Sequence, residues 1–331
     1  MSDAKTRVLV TGAGGAAGVA VIRSLARRAD VDLFAGDMDG WAAGLYLVPA
    51  DRRRLLQPGL APDFVDAIAA LCREDALDVV ISTVDVELPP LARRRADLAG
   101  AVLAAASIDT LDVTLDKWLL AERCAPLLRV PTTRLLDAEG IAADWDFPVI
   151  VKPRRGAGSR GVHLVRDREE LEAHAPDDSQ LIQENLPGDE FSVDVLADAA
   201  GNVVVAVPRT RARVDSGVSI AGRTLHDDGL ETTAAAVAKA IGLTGVANVQ
   251  LRYDVNGVPA LLEVNPRFPG ALPLTIAAGA DLPSLALDLA LGRELPARLD
   301  FRDLATVRFL EDIYLDPAEI LVSEHAAHTD E

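Results

Sequence analysis

Residues 246–268 read VANVQLRYDVNGVPALLEVNPRF and predict a β-hairpin late in the chain. Asn256-Gly257 lies between two runs of alternating apolar residues, which is typical of a two-residue turn. Counting outward from a turn in which Val255 pairs with Val258 gives the pairs Leu251–Leu262, Val249–Val264, Gln250–Glu263 and Asn248–Asn265. The leucine and valine pairs then form a core face, and the other two pairs form a polar face.

The polar face of this hairpin carries oxygen ligands next to a guanidinium. Side chains alternate along a strand, so Glu263, Asn265 and Arg267 share one side, with Gln250 across from Glu263. Carboxylate and amide oxygens suit Mg²⁺, which takes its other ligands from water and phosphates. Arg267 is placed to bind a phosphoryl oxygen. The alternative is an ordinary hairpin with a polar outer face.

Composition and charge limit the classes of function. The 331 residues suit two or three domains, and the 50% hydrophobic and 25% charged content is typical of a globular protein. A formal charge of −18 argues against a general nucleic-acid or membrane-surface binder. Cys72 and Cys124 are too few for a disulfide framework and are expected to be reduced. We find no signal peptide or membrane-length apolar run, and we expect a cytoplasmic protein.

Residues 7–107 alternate between strand and helix patterns, which predicts a parallel, doubly wound sheet. The turn Gly12–Gly18 fits G-x-G-x-x-G/A, and Asp37 ends the second strand near the position of a ribose-binding acid. This pattern favours dinucleotide binding. A tight turn alone, or contact with a different substrate, explains it as well. Asp85 and Glu87 follow a buried strand and suit either an ammonium group of a substrate or helix capping.

After residue 107 the strand–helix alternation ends and other patterns follow. Residues 108–129 predict a connecting helix, and the short strands of 130–186 predict a small α+β subdomain. A larger antiparallel region follows. We expect helices at 228–241 and 275–292 in this region, and the stretch TVRFLEDIYLD predicts a final strand before a polar tail.

A glycine-rich basic loop follows the strand that ends at Lys152. Glycines at 156, 158 and 161 let a backbone approach an anion and present its N–H groups. No Gly-Lys-Ser/Thr follows them, so the loop is not a Walker A motif. We interpret it as a flexible loop that covers a phosphate, and the alternative is a hairpin with solvated arginines. A buried Lys152 favours a bound anion as its partner.

A connector motif follows at residues 183–194. Pro187-Gly188 predicts a turn between two strands, and Glu190, Ser192 and Asp194 alternate with apolar residues and so share one face. A linker between subdomains offers backbone groups to a purine base, and the next carboxylate can accept both ribose hydroxyls.

In this order, the motifs resemble those of the ATP-grasp superfamily, in the branch of the carbamoyl phosphate synthetase large subunit. The resemblance covers roughly residues 108–300 and rests on Asp116-Lys117, Val151-Lys152-Pro153, the loop 156–161, the connector, and Glu263-Val264-Asn265-Pro266-Arg267. It implies an α/β and α+β protein. The implied parts are a Rossmann-like domain at 1–107, a two-subdomain ATP-grasp fold at 108–302 with a lid at about 130–186, and a C-terminal strand and tail at 303–331.

The resemblance also implies the ligands and their residues. ATP would lie between the two subdomains, on Lys117, Lys152, Gly156, Gly158, Ser159, Gly161, Gln183, Glu184, Leu186 and Glu190. Gln250, Glu263 and Asn265 would ligate one or two Mg²⁺ ions. Many members place an acid where this chain has Gln250, but an amide also occurs in the carbamoyl phosphate synthetase branch. The residues expected to act in catalysis are Lys152, Arg209, Arg211 and Arg267.

The implied reaction is a ligation. A substrate carboxylate attacks the γ-phosphate to give an acyl phosphate, which an amine of an amino acid or small peptide then displaces. Arg209, Arg211 and Arg213 alternate along one strand and either grip a substrate carboxylate or acyl phosphate, or form a solvated face. The alternatives are bicarbonate phosphorylation, an NAD-dependent oxidoreductase that uses Gly12–Gly18, and a nucleotide-binding regulator without turnover. A homodimer is expected from the resemblance.

Overall fold

The computed structural model describes residues 5–156, 160–215 and 217–322. Its N-terminal part is a parallel sheet in the order β3-β2-β1-β4-β5, as predicted. The strands are β1 (Thr6–Thr11), β2 (Val31–Asp37), β3 (Arg53–Leu55), β4 (Val79–Ser82) and β5 (Val102–Leu103). The helices are α1 (Ala16–Leu25), α2 (Phe64–Glu74) and α3 (Leu88–Arg93). β1 and β4 are buried on both faces, as parallel strands covered by helices require.

Two short helices lead from this sheet to the next one. They are α4 (Ile108–Thr114) and α5 (Lys117–Cys124). The single helix predicted over 108–129 is therefore wrong. Ser107 caps the first helix, and the Asp116 side chain accepts the N–H groups of Trp118 and Leu119 to begin the second.

The second sheet is antiparallel, in the order β6-β9-β7-β8, and we call it the lid sheet. Its strands are β6 (Thr133–Leu136), β7 (Val149–Pro153), β8 (His163–Val165) and β9 (Asp177–Glu184), with helices α6 (Ala138–Ala142) and α7 (Arg168–Glu172). Its buried side chains, which include Trp145, Val151 and Ile182, form a core of their own. This separate core supports the predicted lid subdomain.

The third sheet, the central sheet, has the order β11-β10-β14-β15. Its strands are β10 (Glu190–Ala197), β11 (Val203–Thr210), β14 (Gly245–Tyr253) and β15 (Pro259–Asn265). A small sheet of β12 (Arg213–Asp215), β13 (Val218–Arg223) and β16 (Ala305–Val307) lies beside it. The remaining helices are α8 (Asp228–Ala240), α9 (Leu272–Ala277) and α10 (Leu282–Ala290).

The hairpin of β14 and β15 confirms the three predicted residue pairs that lie farthest from the turn. Asn248 pairs with Asn265, Val249 with Val264, and Gln250 with Glu263. The two-residue turn is wrong, because the Asp254 carboxylate accepts the N–H groups of Asn256 and Val258 and widens the loop. Leu251 therefore pairs with Leu261 instead of Leu262, and a one-residue bulge at Leu262 restores the register.

Two other expectations from the sequence were wrong. The helix over 275–292 is two helices, with Gly279 at φ +117° between them. The final strand is limited to 305–307, and residues 308–322 contain no further strand. In the described part of the chain, no helix combines the length and the apolar character that crossing a bilayer requires.

Alternation along the central sheet leaves one face apolar and the other partly polar. Val193 and Val249 pack against Leu230 and Val237 of α8. On the opposite face, residues of α9 and α10 share a core with Leu196 and Val246. Buried residues of the N-terminal sheet belong to both of these cores, so the boundary after residue 107 remains a prediction.

Asp227 is expected to secure the helix behind the central sheet. Its carboxylate caps α8 at Leu230 and accepts the Tyr253 hydroxyl at 2.7 Å. Asp227→Ala should lower the free energy of unfolding by about 1–2 kcal/mol, measured by urea denaturation. Asp228→Ala removes a neighbouring exposed carboxylate and serves as the control. An equal loss in both variants would show that capping is not the cause.

Candidate functional site

A cleft lies between the lid sheet and the central sheet and encloses a cavity of about 170 Å³. Both sheets contribute to its walls. The lining residues used below are Lys117, Ile150, Lys152, Gly156, Gln183, Glu184, Leu186, Glu190, Arg211, Gln250, Leu262 and Glu263. Gly158 and Ser159 lie outside the described residues. The cleft therefore brings together groups that are up to 146 positions apart in the sequence, from Lys117 to Glu263.

Two lysines face this cleft. Lys152 is buried on β7, and its Nζ donates to Gln183 Oε1 at 2.7 Å. Burial lowers the pKa of Lys152 to about 8, while the negative charge of Glu263 acts in the opposite direction. Lys117 Nζ donates to the Gly156 carbonyl at 2.8 Å and lies 3.4 Å from Glu263 Oε2. The lysines thus form a positive end of the cleft that suits an anion.

The loop after β7 joins the lid sheet to α5. Asp116 accepts Arg154 Nε at 2.7 Å and lies 3.0 Å from Arg155 Nη2. Gly156 and Gly161 have φ values of +125° and +71°, which glycine adopts without strain. The role of Asp116 was missed by the sequence reasoning, although its position before Lys117 is a recognisable N-cap signal.

The connector forms another wall. The Glu184 carboxylate lies 2.5 Å from Arg129 Nη2 and accepts the Thr132 N–H, so this side chain is engaged in structure. The Leu186 N–H makes no hydrogen bond within the described ranges. Glu190 Oε1 lies 3.0 Å from Arg211 Nε. The connector therefore offers a backbone donor and a carboxylate on the same side of the cleft.

The residues predicted to ligate magnesium lie on adjacent strands. Gln250 and Glu263 pair across β14 and β15, and Asn265 Nδ2 donates to Glu263 Oε1 at 3.3 Å. Both Gln250 and Glu263 line the cleft. Residues 5–156, 160–215 and 217–322 contain no cluster of three His, Cys, Asp or Glu residues that suits a metal. One carboxylate and two amide oxygens fit Mg²⁺ only if phosphates complete its coordination.

Arg267 has a different environment from the one expected. Its Nε lies 2.8 Å from Asp85 Oδ1, and it lines a second cavity of about 240 Å³ between the N-terminal sheet and the central sheet.

Glu87 accepts hydrogen bonds from Thr11 and Ser82, and burial raises its pKa. Asp85 and Glu87 thus contact protein groups, and the ammonium site considered from the sequence remains a prediction.

The three alternating arginines have three different environments. Arg209 is fully buried and binds Asp194 through Nε and Nη2, at 2.8 and 2.7 Å. Asn248 and Thr275 also donate to Asp194. Arg211 lines the cleft, and Arg213 is exposed. The structure places Arg209 and Arg211 on the cleft side of the central sheet, with Arg209 below the surface.

The N-terminal glycine turn is engaged with its own chain. The Gly14 N–H donates to Asp37 Oδ2 at 2.8 Å. A Cβ at Gly44 would lie 2.1 Å from the Ala13 carbonyl oxygen, so the segment Ala43–Leu47 packs directly on the turn. Asp37 thus binds the turn that a dinucleotide would need. This packing weighs against the oxidoreductase hypothesis.

Leu262 and Ile150 were not identified from the sequence. Ile150 comes from the lid sheet and Leu262 from the central sheet, and both line the cleft. The bulge turns Leu262 away from the core face where alternation had placed it. No sequence signal indicates this bulge, because it depends on the width of the loop at Asp254.

Comparisons with known proteins agree with this geometry. A family model described as "ATP-grasp in the biosynthetic pathway with Ter operon" matches residues 177–313. The C-terminal section of the carbamoyl phosphate synthase large chain from Methanopyrus kandleri is 29% identical over 185 residues, which is 50% of this chain and 34% of that protein. The chain thus spans about a third of this relative's length. Residues 177–313 of the chain are thus similar to ATP-grasp proteins.

Solved structures of proteins with several activities have a similar fold. The biotin carboxylase domain dimer of Hydrogenobacter thermophilus 2-oxoglutarate carboxylase, solved with MgADP and bicarbonate, has a TM-score of 0.69 at 19% identity and covers 88% of this chain and 70% of that one. An L-amino acid ligase from Bacillus licheniformis also has a TM-score of 0.69, at 17% identity, with 87% and 75% covered. These likenesses confirm the predicted fold class.

The buried Arg209–Asp194 pair makes a prediction about stability. Arg209→Ala would leave Asp194 buried without its cation, which should lower the free energy of unfolding by about 3–5 kcal/mol. Arg213→Ala removes an exposed arginine from the same part of the chain and should change it by less than about 0.5 kcal/mol. Denaturant unfolding of both variants measures the difference. Similar stabilities would contradict a structural role for the pair.

Proposed function

We propose that this protein is an ATP-dependent ligase that activates a substrate carboxylate as an acyl phosphate and transfers it to an amine of an amino acid or small peptide. The observation that carries the proposal is the single cleft in which Lys117 and Lys152 face Gln250 and Glu263. Two cations suited to phosphate and side-chain oxygens suited to magnesium thus line one cavity. The L-amino acid ligase with this fold supports the choice of substrate class.

The nucleotide would lie along the cleft. Ile150 and Leu262 offer apolar surfaces to the base, and the Leu186 N–H and the Glu184 backbone offer its edge hydrogen bonds. Glu190 would accept the ribose hydroxyls. Lys117 and Lys152 would bind the phosphates, and Gly156 and Gly161 would allow the loop between them to approach the β- and γ-phosphates.

Gln250, Glu263 and Asn265 would hold magnesium. Bound magnesium would supply positive charge that neutralises the phosphate oxygens. Lys117 lies 3.4 Å from Glu263, so the metal-binding carboxylate and the phosphate-binding lysine already lie within one contact. Asn265 would orient Glu263 through its amide. Arg267 contacts Asp85 and lines the second cavity, so it is not assigned to the transferred phosphoryl group.

The reaction has two steps. In the first, a carboxylate oxygen attacks the γ-phosphorus, the bond to the bridging oxygen breaks, and ADP leaves. In the second, the amine attacks the acyl carbon, inorganic phosphate leaves, and the amine loses a proton. Lys152 would stabilise the negative charge that shifts to ADP in the first step, in a buried site where an electrostatic contact is strong.

Two further properties belong to the proposal. The biotin carboxylase domain dimer among the solved structures supports a homodimer, which the molar mass measured by light scattering would test.

The carbamoyl phosphate synthase relative supports bicarbonate as a second candidate for the activated carboxylate. A screen for ADP release should therefore include bicarbonate as well as pairs of amino acids.

Substitutions in the cleft should strongly reduce turnover and leave the fold intact. With the best substrate pair from this screen, Lys152→Ala and Glu263→Ala should each lower kcat/KM by about 100-fold or more. Lys239→Ala, at an exposed position in the last turn of α8, is the matched control. ADP release at the wild-type rate in both cleft variants would contradict the proposed site.

The pKa of Lys152 also predicts the pH dependence of nucleotide binding. The free lysine loses its proton near pH 8, and a bound triphosphate or diphosphate would keep it protonated to higher pH. MgADP affinity should therefore fall about tenfold between pH 7 and pH 9, because the free protein must gain a proton on binding. Calorimetric titrations across this range measure the slope. Lys152→Gln should bind more weakly and show no such slope, and a slope retained in this variant would exclude Lys152 as its cause.

A further inference from the structure

One nitrogen of a buried guanidinium has no partner in the described part of the chain. Nε and Nη2 of Arg209 bind Asp194, but Nη1 makes no hydrogen bond. Arg209 is 1% exposed, so water does not readily satisfy this nitrogen. A buried charged donor without an acceptor is costly, which favours a ligand that supplies the acceptor.

A second guanidinium, that of Arg308, belongs to the same part of the fold, because β16 pairs with β13 and Thr224, just after β13, forms a bridge with Arg209. Arg308 follows β16, its backbone N–H donates to Ile220 O at 2.9 Å, and its Nη2 donates to Gly270 O at 2.7 Å. Partial burial and the positive charge of Arg209 lower the pKa of Arg308. Across the described ranges, no carboxylate forms an ion pair with Arg308. This region thus contains two guanidinium groups, those of Arg209 and Arg308, and Asp194 is the carboxylate that binds Arg209.

The two arginines lie beside the proposed reaction site. Arg209, Ser192, Gln250 and Glu263 pair in one row across the four strands of the central sheet. Asp194 on β10 draws the Arg209 head inward from the edge strand. Because adjacent strands are about 5 Å apart, the row places this head roughly 5–10 Å from the positions of Gln250 and Glu263. A small substrate can span that separation.

We propose that Arg209 and Arg308 together bind the carboxylate that an amino-acid substrate retains, while its amine faces the phosphoryl end of the cleft. Nη1 of Arg209 and the Arg308 head supply donors with fixed geometry for a carboxylate. The inference rests on the proposed function and narrows it, because the amine substrate must be an amino acid with a free α-carboxylate. The neutral amide of the same amino acid lacks the recognised charge.

The test uses calorimetric titration of the full chain, saturated with MgADP, with the standard amino acids and their α-carboxamides. At least one amino acid should bind, and its amide should bind about tenfold or more weakly. Arg308→Ala should remove this preference by weakening the acid alone, and Arg308→Lys should restore part of it. Arg302→Ala is the matched control, because exposed Arg302 also donates one hydrogen bond from Nη2 to a carbonyl, that of Ala277 at 2.9 Å.

The outcomes separate this inference from the proposed function. Equal acid and amide affinities, no amino-acid binding at all, or an unchanged preference in Arg308→Ala would overturn the inference while leaving MgADP binding intact. Failure of the wild type to bind MgADP would instead contradict the proposed function. The amino-acid titrations without nucleotide would then still decide whether Arg308 recognises a carboxylate.

Discussion

The buried ammonium of Lys152 is the interaction on which the cleft depends. Among the residues that the structure describes, it makes one hydrogen bond, to Gln183 Oε1, although an ammonium can donate three. The carboxylates of Glu263 and Glu190 favour its charged form from a distance, whereas burial and Lys117 oppose it. The free protein therefore keeps a cation in an environment that only partly satisfies it. A polyanion in the cleft would satisfy it, and this is the physical reason to place phosphates there.

The lid sheet and the central sheet have different roles around this lysine. The lid sheet carries Lys152 and has its own core, separate from the cores that contain the buried residues of the central sheet. Asp116 and Lys117 link the loop after β7 to α5 and to Glu263. The central sheet is held more firmly, because Asp194 binds Arg209, Asn248 and Thr275 beneath its polar face. A rigid floor and a separately packed lid suit a ligand that must be enclosed and later released.

The sequence predicted the features that depend on local pattern. Alternation and the glycine loop identified Lys152, and the paired polar positions identified Gln250 opposite Glu263. The features that depend on contacts distant in sequence were not predictable. The Asp254 side chain widens the hairpin loop and forces the bulge at Leu262, and no pattern in β15 indicates it. Arg308 was missed for the same reason, since its neighbour Arg209 is about a hundred positions earlier in the chain.

The most direct measurement is a crystal structure of the full chain with Mn²⁺ and a non-hydrolysable ATP analogue, with anomalous scattering to locate the metal. The account predicts an anomalous peak within coordinating distance of Glu263 and Gln250, with the triphosphate between Lys117 and Lys152 and the base between Ile150 and Leu262. A nucleotide bound instead at the Gly12–Gly18 turn, or a metal remote from Glu263, would contradict it.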